Sequence, residues 1–226
     1  NNGNGLWTDV KASNVTYRAN TVFNNNGQGI FYEISTLGTI EDNFVGGNFR
    51  SGDSGGNGGL YGSQIFISTS SNTVVRNNKV WVGRDLNGDG VIGTGDNGSG
   101  NGIGIIWQNR LSHDPNSNAR GNTAYGNEVT FLSSNGSNGL KGSAASAGFA
   151  GGDEIYDLTT GSRLYSNTYH SRDGSSANNF AGMYGGNRRE NLTLAEQKTT
   201  GQESGSTIDT AVVGKAFSCS AWQSVI

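Results

Sequence analysis

The sequence predicts an all-β fold, a parallel β-helix (solenoid) with loop insertions and one short C-terminal helix. Four segments of alternating apolar residues share one shape and predict the first strand of each coil: Leu6–Val10, Ile30–Ile34, Ile65–Thr69 and Ile105–Asn109. A second pattern, an Asn followed within two residues by a β-forming residue, recurs at Asn20, Asn43, Asn78, Asn127 and Asn167. Strands separated by whole coils can pair only in parallel, so equivalent side chains should lie about 4.8 Å apart.

The composition agrees with this fold. The 226 residues include 38 glycines and only 32% hydrophobic residues. A β-helix tolerates this because its apolar column is narrow and its corners use Gly, Asn, Ser and Asp. The net charge of −3 favours neither nucleic acid nor an anionic membrane surface, and no apolar run is long enough to span a membrane. The lone Cys219 allows no internal disulfide.

We expect one domain over residues 1–226. Asn1, Asn2 and Gly3 would open in mid-coil without a cap, which predicts a fragment of a longer chain that is secreted or carried on the cell surface.

Alternate residues of the first strands should face opposite sides of the sheet. Two inward columns are predicted, one of Leu6, Ile30, Ile65 and Ile105 and one of Thr8, Tyr32, Ile67 and Trp107. The outward side would then carry Trp7, Phe31, Phe66 and Ile106 beside Asp9, Glu33, Ser68 and Gln108. The alternative is that one or two coils are inverted and their aromatic side chains belong to the core. Inversion would bury Asp9 and Glu33 without a visible basic partner, which is costly.

The repeated Asn residues have a structural explanation. Stacked Asn amides hydrogen-bond to one another and to backbone groups at the corners, and we assign all five to stability. Near the C-terminus, Thr193 and Glu196 have the spacing of a capping box and Gly201 can end a helix, which predicts a helix over 194–200. A last strand is possible within Thr207–Val213.

The spacing between successive corner Asn residues is uneven. The additional residues are Gly46–Gly62, Arg84–Gly102 and Arg110–Ala119, which flank the first strands. Such insertions would form walls around the outward face and make it a cleft. The alternative is that they occur wherever the solenoid tolerates them.

The second insertion contains the most specific short motif of the chain. It matches the calcium loop of EF-hands, with Asp96 where those loops place Glu. The predicted ligands of a structural Ca²⁺ ion are Asp85, Asn87, Asp89, Asp96 and the carbonyl of Val91. The alternative is a turn rich in Asp and Gly that binds no metal.

Four stretches, Gly5–Asp9, Gly29–Ser35, Gly104–Arg110 and Gly201–Ser206, resemble secreted bacterial right-handed parallel β-helix proteins of the pectate-lyase-like superfamily. The resemblance implies a right-handed solenoid that binds polysaccharide along the outer face of one sheet. Pectate lyases use a basic residue there, near calcium bound by Asp. Asp9, Glu33, Ser68 and Gln108 include no Lys or Arg, so the resemblance does not extend to the lyase mechanism.

The leading functional hypothesis is a polysaccharide-cleaving enzyme, most simply a glycoside hydrolase. The carboxyls of Asp9 and Glu33, on adjacent coils, would be about 5 Å apart, the separation of retaining glycosidases. Glu33 is the predicted acid/base, Asp9 the nucleophile or stabiliser, and Gln108 a group that orients a hydroxyl. The predicted substrate-binding residues are Trp7, Phe31, Phe66, Ser68, Arg110 and His113.

Two other functions are compatible with the same residues. The first is a glycan-binding or adhesion module without chemistry, which the missing lyase base favours. The second is a structural solenoid whose open N-terminal coil makes end-to-end contacts with another chain.

Overall fold

The computed structural model describes residues 3–49, 60–83, 100–108, 113–114, 118–132, 138–141 and 153–211. Eighteen strands lie in these ranges: β1 Leu6–Thr8, β2 Thr16–Arg18, β3 Thr21–Phe23, β4 Ile30–Glu33, β5 Thr39–Glu41, β6 Phe44–Gly46, β7 Ser63–Ser68, β8 Val74–Arg76, β9 Lys79–Val82, β10 Asn101–Ile106, β11 Thr123–Tyr125, β12 Glu128–Phe131, β13 Asn138–Lys141, β14 Arg163–Tyr165, β15 Thr168–Ser171, β16 Phe180–Tyr184, β17 Asn187–Leu192 and β18 Thr207–Asp209. Helix α1 spans Leu194–Thr199, and two 3-10 helices span Asp153–Tyr156 and Gly174–Ser176.

The strands form three sheets, and each sheet contains every third strand along the chain, except that β17 joins the first sheet next to β16. The first sheet has the order β1-β4-β7-β10-β13-β16-β17, the second β14-β11-β8-β5-β2, and the third β18-β15-β12-β9-β6-β3. Within the described ranges the neighbouring strands pair in parallel, except that β17 turns back antiparallel to β16. The structure is thus mostly β, with three parallel sheets and one short α-helix.

The main core lies between the three sheets. Ile65 of the first sheet, Val75 of the second and Val80 of the third are all fully buried in one cluster. The prediction that the two columns face inward is confirmed for four residues that are also fully buried in that cluster: Ile30, Ile65, Tyr32 and Ile67. Period-2 alternation therefore correctly identifies the inner face of these strands.

The register of β10 differs from the prediction by two residues. Ile103 pairs with Ile65 and Ile105 pairs with Ile67, whereas the sequence pattern had aligned Ile105 with Ile65. A shift of two residues keeps every side chain on its face, so hydrophobic alternation cannot detect it. Trp107 accordingly follows the strand, half-buried against the main core.

The predicted row of Asn residues is confirmed. The Oδ1 atom of Asn43 accepts hydrogen bonds from the backbone N–H and the Nδ2 of Asn20, at 2.9 and 3.0 Å. Asn43, Asn78 and Asn127 donate in the same two ways to the next member of the row. Ser206 continues the row, because its Oγ accepts the N–H of Asn167 at 2.9 Å.

The C-terminal helix is also confirmed. The Thr193 hydroxyl accepts the N–H of Glu196 at 3.2 Å, and the Glu196 carboxylate accepts the N–H of Thr193 at 2.8 Å, which is the predicted capping box. Gly201 follows the helix with a φ of 84°, a value that glycine adopts readily. Among the described residues, no helix has the length and apolar character needed to cross a membrane.

Candidate functional site on the first sheet

Asp9 and Glu33 occupy equivalent positions of adjacent strands. Thr8 pairs with Tyr32 at the end of β1, and the same offset persists beyond it, because the N–H of Lys11 donates to the carbonyl of Ile34 at 2.8 Å. The two residues therefore occupy adjacent positions on the face opposite the main core. Asp9 is exposed, and its Oδ1 accepts the N–H of Val10 at 2.8 Å. Glu33 is only 7% exposed.

The outward aromatic row exists, but most of it is covered. Trp7 is 55% exposed and stacks flat on Phe31, with ring centroids 5.8 Å apart and planes 4° from parallel. Phe31 in turn contacts Phe66 at a centroid distance of 5.1 Å. Phe31 is 5% exposed and Phe66 is fully buried, so the expectation that these two rings face solvent is wrong.

The cover comes from the C-terminal end of the first predicted insertion. Leu60 belongs to a second apolar cluster with Phe31, Phe66, Ile106 and Ala181, and Tyr61 packs edge-on against Phe66 at 5.5 Å. A Cβ on Gly104 would lie 3.1 Å from the Leu60 carbonyl oxygen, so Gly104 admits this segment. Leu60 and Tyr61 thus pack onto the floor of the predicted cleft, and among the described aromatic residues of this face Trp7 is the exposed one.

The polar row continues from Glu33 to Ser68, which pair in register. Ser68 is fully buried, and its Oγ donates to Oε1 of Gln108 at 3.4 Å. Gln108 is anchored through its backbone, because Thr69 Oγ1 accepts its N–H at 2.8 Å and donates to its carbonyl at 3.0 Å. Gln108 thus reaches Ser68 from beyond β10, although Ile106 and not Gln108 is the register partner of Ser68.

The residue after each member of this row has an unfavourable backbone conformation. Val10, Ile34 and Thr69 have φ angles of 34°, 47° and 49°, in the left-handed region that β-branched residues avoid. Such a conformation costs on the order of 1–3 kcal/mol per residue, and it occurs most often at functional sites. β4 ends at Glu33 and β7 at Ser68, immediately before such a residue, and β1 ends at Thr8, two residues before Val10.

Sequence reasoning missed one functional candidate in the same row. Lys141 of β13 pairs with Ile106, which pairs with Ser68, so a basic residue does occur along this face. Its Nζ forms a short ion pair with Glu190 of β17. Asn138–Lys141 contains a glycine and no β-branched residue, and therefore gave no strand signal.

Of the remaining predicted site residues, the structure describes His113 alone. His113 is exposed and lies in a two-residue segment between parts of the chain that the structure does not describe. Arg110 lies outside the described residues, as do Asp85, Asn87, Asp89, Val91 and Asp96 of the predicted calcium loop. In the ranges that are described, no group of three or more His, Cys, Asp or Glu side chains is placed to hold a metal ion.

The second histidine lies on the third sheet, far along the chain from Asp9 and Glu33. His170 is 6% exposed, and its Nδ1 lies 2.6 Å from Oδ1 of Asp209 on the neighbouring strand β18. Its Nε2 lies 3.7 Å from Oε1 of Glu128 on β12. The contact with Asp209 ties the last described strand to the sheet.

The Asp209 contacts predict an acid-sensitive contribution to stability. The N–H of Ala211 and the ring of His170 hold the pKa of Asp209 below its ordinary value of 3.8. A lowered pKa in the folded state stabilises the protein above that ordinary value, and the contribution is lost as the pH falls through the lowered one. We therefore expect wild type to be more stable than Asp209→Asn near neutral pH, with the difference disappearing in acid. Urea unfolding across the acidic range measures this, and a constant difference would contradict it.

Comparison with known proteins finds no match among family models, curated proteins or solved structures. Two adjacent carboxylates can act as an acid and a nucleophile, and an exposed indole can stack on an apolar face.

Proposed function

We propose that the chain is a right-handed parallel β-helix of a secreted or cell-surface protein that binds a polysaccharide and cleaves a glycosidic bond. The order of strands in the three sheets supports the solenoid, since each sheet takes every third strand. The bound glycan would lie on the outer face of the first sheet, at the end that carries β1.

The observation that carries this proposal is the position of Trp7 beside the Asp9 and Glu33 carboxylates. An indole that is 55% exposed and backed by the flat ring of Phe31 is a rigid apolar platform. Sugar rings present apolar C–H faces that stack on such a platform, and their hydroxyls require nearby polar groups. The adjacent carboxylates supply those groups.

The register of the strands that carry Asp9 and Glu33 also supports retaining hydrolysis. Neighbouring parallel strands are about 4.8 Å apart, close to the carboxyl separation of retaining enzymes. Glu33 would donate a proton to the glycosidic oxygen as that bond breaks, while Asp9 attacks the anomeric carbon and forms a glycosyl ester. Glu33, now ionised, would take a proton from the water that hydrolyses this ester.

The test combines binding and cleavage. Isothermal titration calorimetry with a panel of neutral and acidic oligosaccharides reports binding, and the appearance of reducing ends reports cleavage. We expect Trp7→Ala to lose binding, whereas Phe23→Ala, which removes another exposed aromatic ring on the third sheet, should retain it. Glu33→Gln and Asp9→Asn should bind but lose cleavage by at least about 100-fold.

The exposed aspartate Asp173 provides a matched control for the carboxylate variants, since its side chain makes no capping hydrogen bond. Asp173→Asn should cleave like the parent. Equal cleavage by the parent, Asp9→Asn and Glu33→Gln would refute the catalytic assignment.

The low exposure of Glu33 favours a second candidate, a glycan-binding module without chemistry. Binding that depends on Trp7, with no reducing ends released by the parent, would select it.

A further inference from the structure

A cavity of about 400 Å³ lies beside the β16–β17 hairpin, at the other end of the first sheet from Trp7. Strands β1 and β13 are four steps apart in this sheet, roughly 19 Å at the usual strand spacing. The half-buried Tyr156 and the buried Ala181 supply apolar surface to the cavity. Its volume is within the range of pockets that hold small organic ligands.

Alternation along β17 separates its charged side chains into two groups. Arg188 and Glu190 are half-buried on the side of the outer face of the first sheet, whereas Arg189 between them is exposed on the side of helix α1. There the ionised Glu196 carboxylate balances Arg189. The pKa of Glu196 is lowered by the hydrogen bonds from Thr193 and further by the charge of Arg189.

The charges on the outer-face side are matched within the protein. Lys141 of β13 is paired with Glu190. Arg188 binds Oδ1 of Asp153 through Nε at 2.8 Å and through a terminal nitrogen at 2.5 Å. Among the described residues that line the cavity from this side, the charges therefore sum to zero once Asp153 is included, and each ion is held in place by its partner.

A matched set of ions favours an uncharged ligand that carries hydroxyl groups. A charged ligand would take one member of an ion pair and leave the other without its partner, which is costly in a partly buried site. A hydroxyl can donate to a carboxylate and accept from an ammonium or a guanidinium, so it adds to an ion pair without breaking it. The apolar C–H face of a sugar ring can pack against Tyr156 at the same time.

We infer that this cavity binds an uncharged sugar unit, as a second contact with the glycan that stacks on Trp7. The Glu190 carboxylate accepts hydrogen bonds from sugar hydroxyls, and Lys141 and Arg188 donate to sugar oxygens. The identity of the ligand as a glycan rests on the proposed function, whereas the preference for an uncharged ligand rests on the two ion pairs alone.

Isothermal titration calorimetry tests this with uncharged oligosaccharides of glucose, xylose, mannose or galactose and with hexuronic acid oligosaccharides of equal length. Wild type should bind at least one uncharged series about 10-fold more tightly than the acidic one, and salt should change that affinity little. Glu190→Gln removes a charged acceptor and leaves Lys141 unpaired. It should bind the uncharged series about 10-fold more weakly and the acidic series more tightly than wild type does.

Three further variants control this result. Asp173→Asn changes the net charge equally at an exposed position outside the cavity and should keep the wild-type preference. The double variant Lys141→Gln/Glu190→Gln restores the charge balance and should lose the gain in affinity for the acidic series. Asp153→Asn, at an exposed position, should act on the pair with Arg188 as Glu190→Gln acts on the pair with Lys141, and it replaces Glu190→Gln if that variant does not fold.

The outcomes separate this inference from the proposed function. Wild-type affinities of Glu190→Gln and Asp153→Asn for both series, or tighter binding of the acidic series by wild type, would overturn the cavity assignment while leaving Trp7-dependent binding intact. Binding of an uncharged series that survives Trp7→Ala but is weakened in Glu190→Gln would support the cavity and contradict the indole platform. Failure of every uncharged series to bind would overturn both proposals.

Discussion

Replacing Asn127 with Ala is expected to lower the free energy of unfolding by about 4 kcal/mol, since each buried polar group left unpaired costs about 1–3 kcal/mol. Asn127 is fully buried in the middle of the Asn row. Its Oδ1 accepts the N–H and Nδ2 of Asn78 at 3.0 and 2.9 Å, and its Nδ2 donates to the Val75 carbonyl at 3.0 Å and to Asn167 Oδ1 at 3.1 Å. Alanine would leave the buried N–H of Asn78 and the Val75 carbonyl without these partners.

Asn178→Ala is the matched control, because Asn178 is exposed and should change stability by no more than about 0.5 kcal/mol. Unfolding in guanidinium chloride, followed by circular dichroism, gives both values. Similar stabilities of the two variants would mean that the Asn row contributes little, and that apolar packing alone holds the three sheets together.

Replacing Glu203 with Ala is expected to cost about 3 kcal/mol, because two buried hydroxyl groups lose their acceptor. Glu203 is fully buried and has no basic partner within hydrogen-bonding distance among the described residues. Its carboxylate accepts hydrogen bonds from Tyr169 Oη and Ser206 Oγ, each at 2.6 Å, and from Asn167 Nδ2 at 3.2 Å. Asn167 retains the Ala124 carbonyl as a second acceptor.

Glu203→Gln should lower the free energy of unfolding by less than Glu203→Ala does. The pH dependence of its stability should also show how Glu203 is protonated in the folded state. Burial raises the pKa of Glu203 above its ordinary 4.5, against the opposing effect of the hydrogen bonds from Ser206, Tyr169 and Asn167. A raised pKa stabilises the folded state below the ordinary value, and the contribution is lost as the pH rises through the raised one. Glutamine does not ionise, so the variant should gain on wild type as the pH rises from the ordinary pKa of 4.5 through the raised pKa. An unchanged difference across that range would show that Glu203 has the same pKa in both states.

The inner side of the fold could be predicted from the sequence because its determinants are local and periodic. Alternation places Ile30 and Tyr32 inward, and the repeated Asn needs only the next Asn to complete its hydrogen bonds. The capping box at Thr193 is likewise contained within four residues. None of these features depends on how the insertions pack.

The outer side could not be predicted in the same way. Phe66 has the same alternation whether it meets solvent or Tyr61, and only the packing of the insertion decides between them. The β16–β17 hairpin could not be predicted for another reason. Nothing nearby in the sequence indicates that β17 folds back on β16 beside Lys141.

The central claim is that a sugar stacks on Trp7 next to the paired carboxylates. A crystal structure of the protein with an oligosaccharide that it binds tests this most directly. The expected result is a sugar ring about 3.5–4 Å above the exposed indole face, with the Asp9 and Glu33 carboxyls on either side of the adjoining glycosidic bond. A glycan bound to the second or third sheet, with the Trp7 face empty, would contradict it.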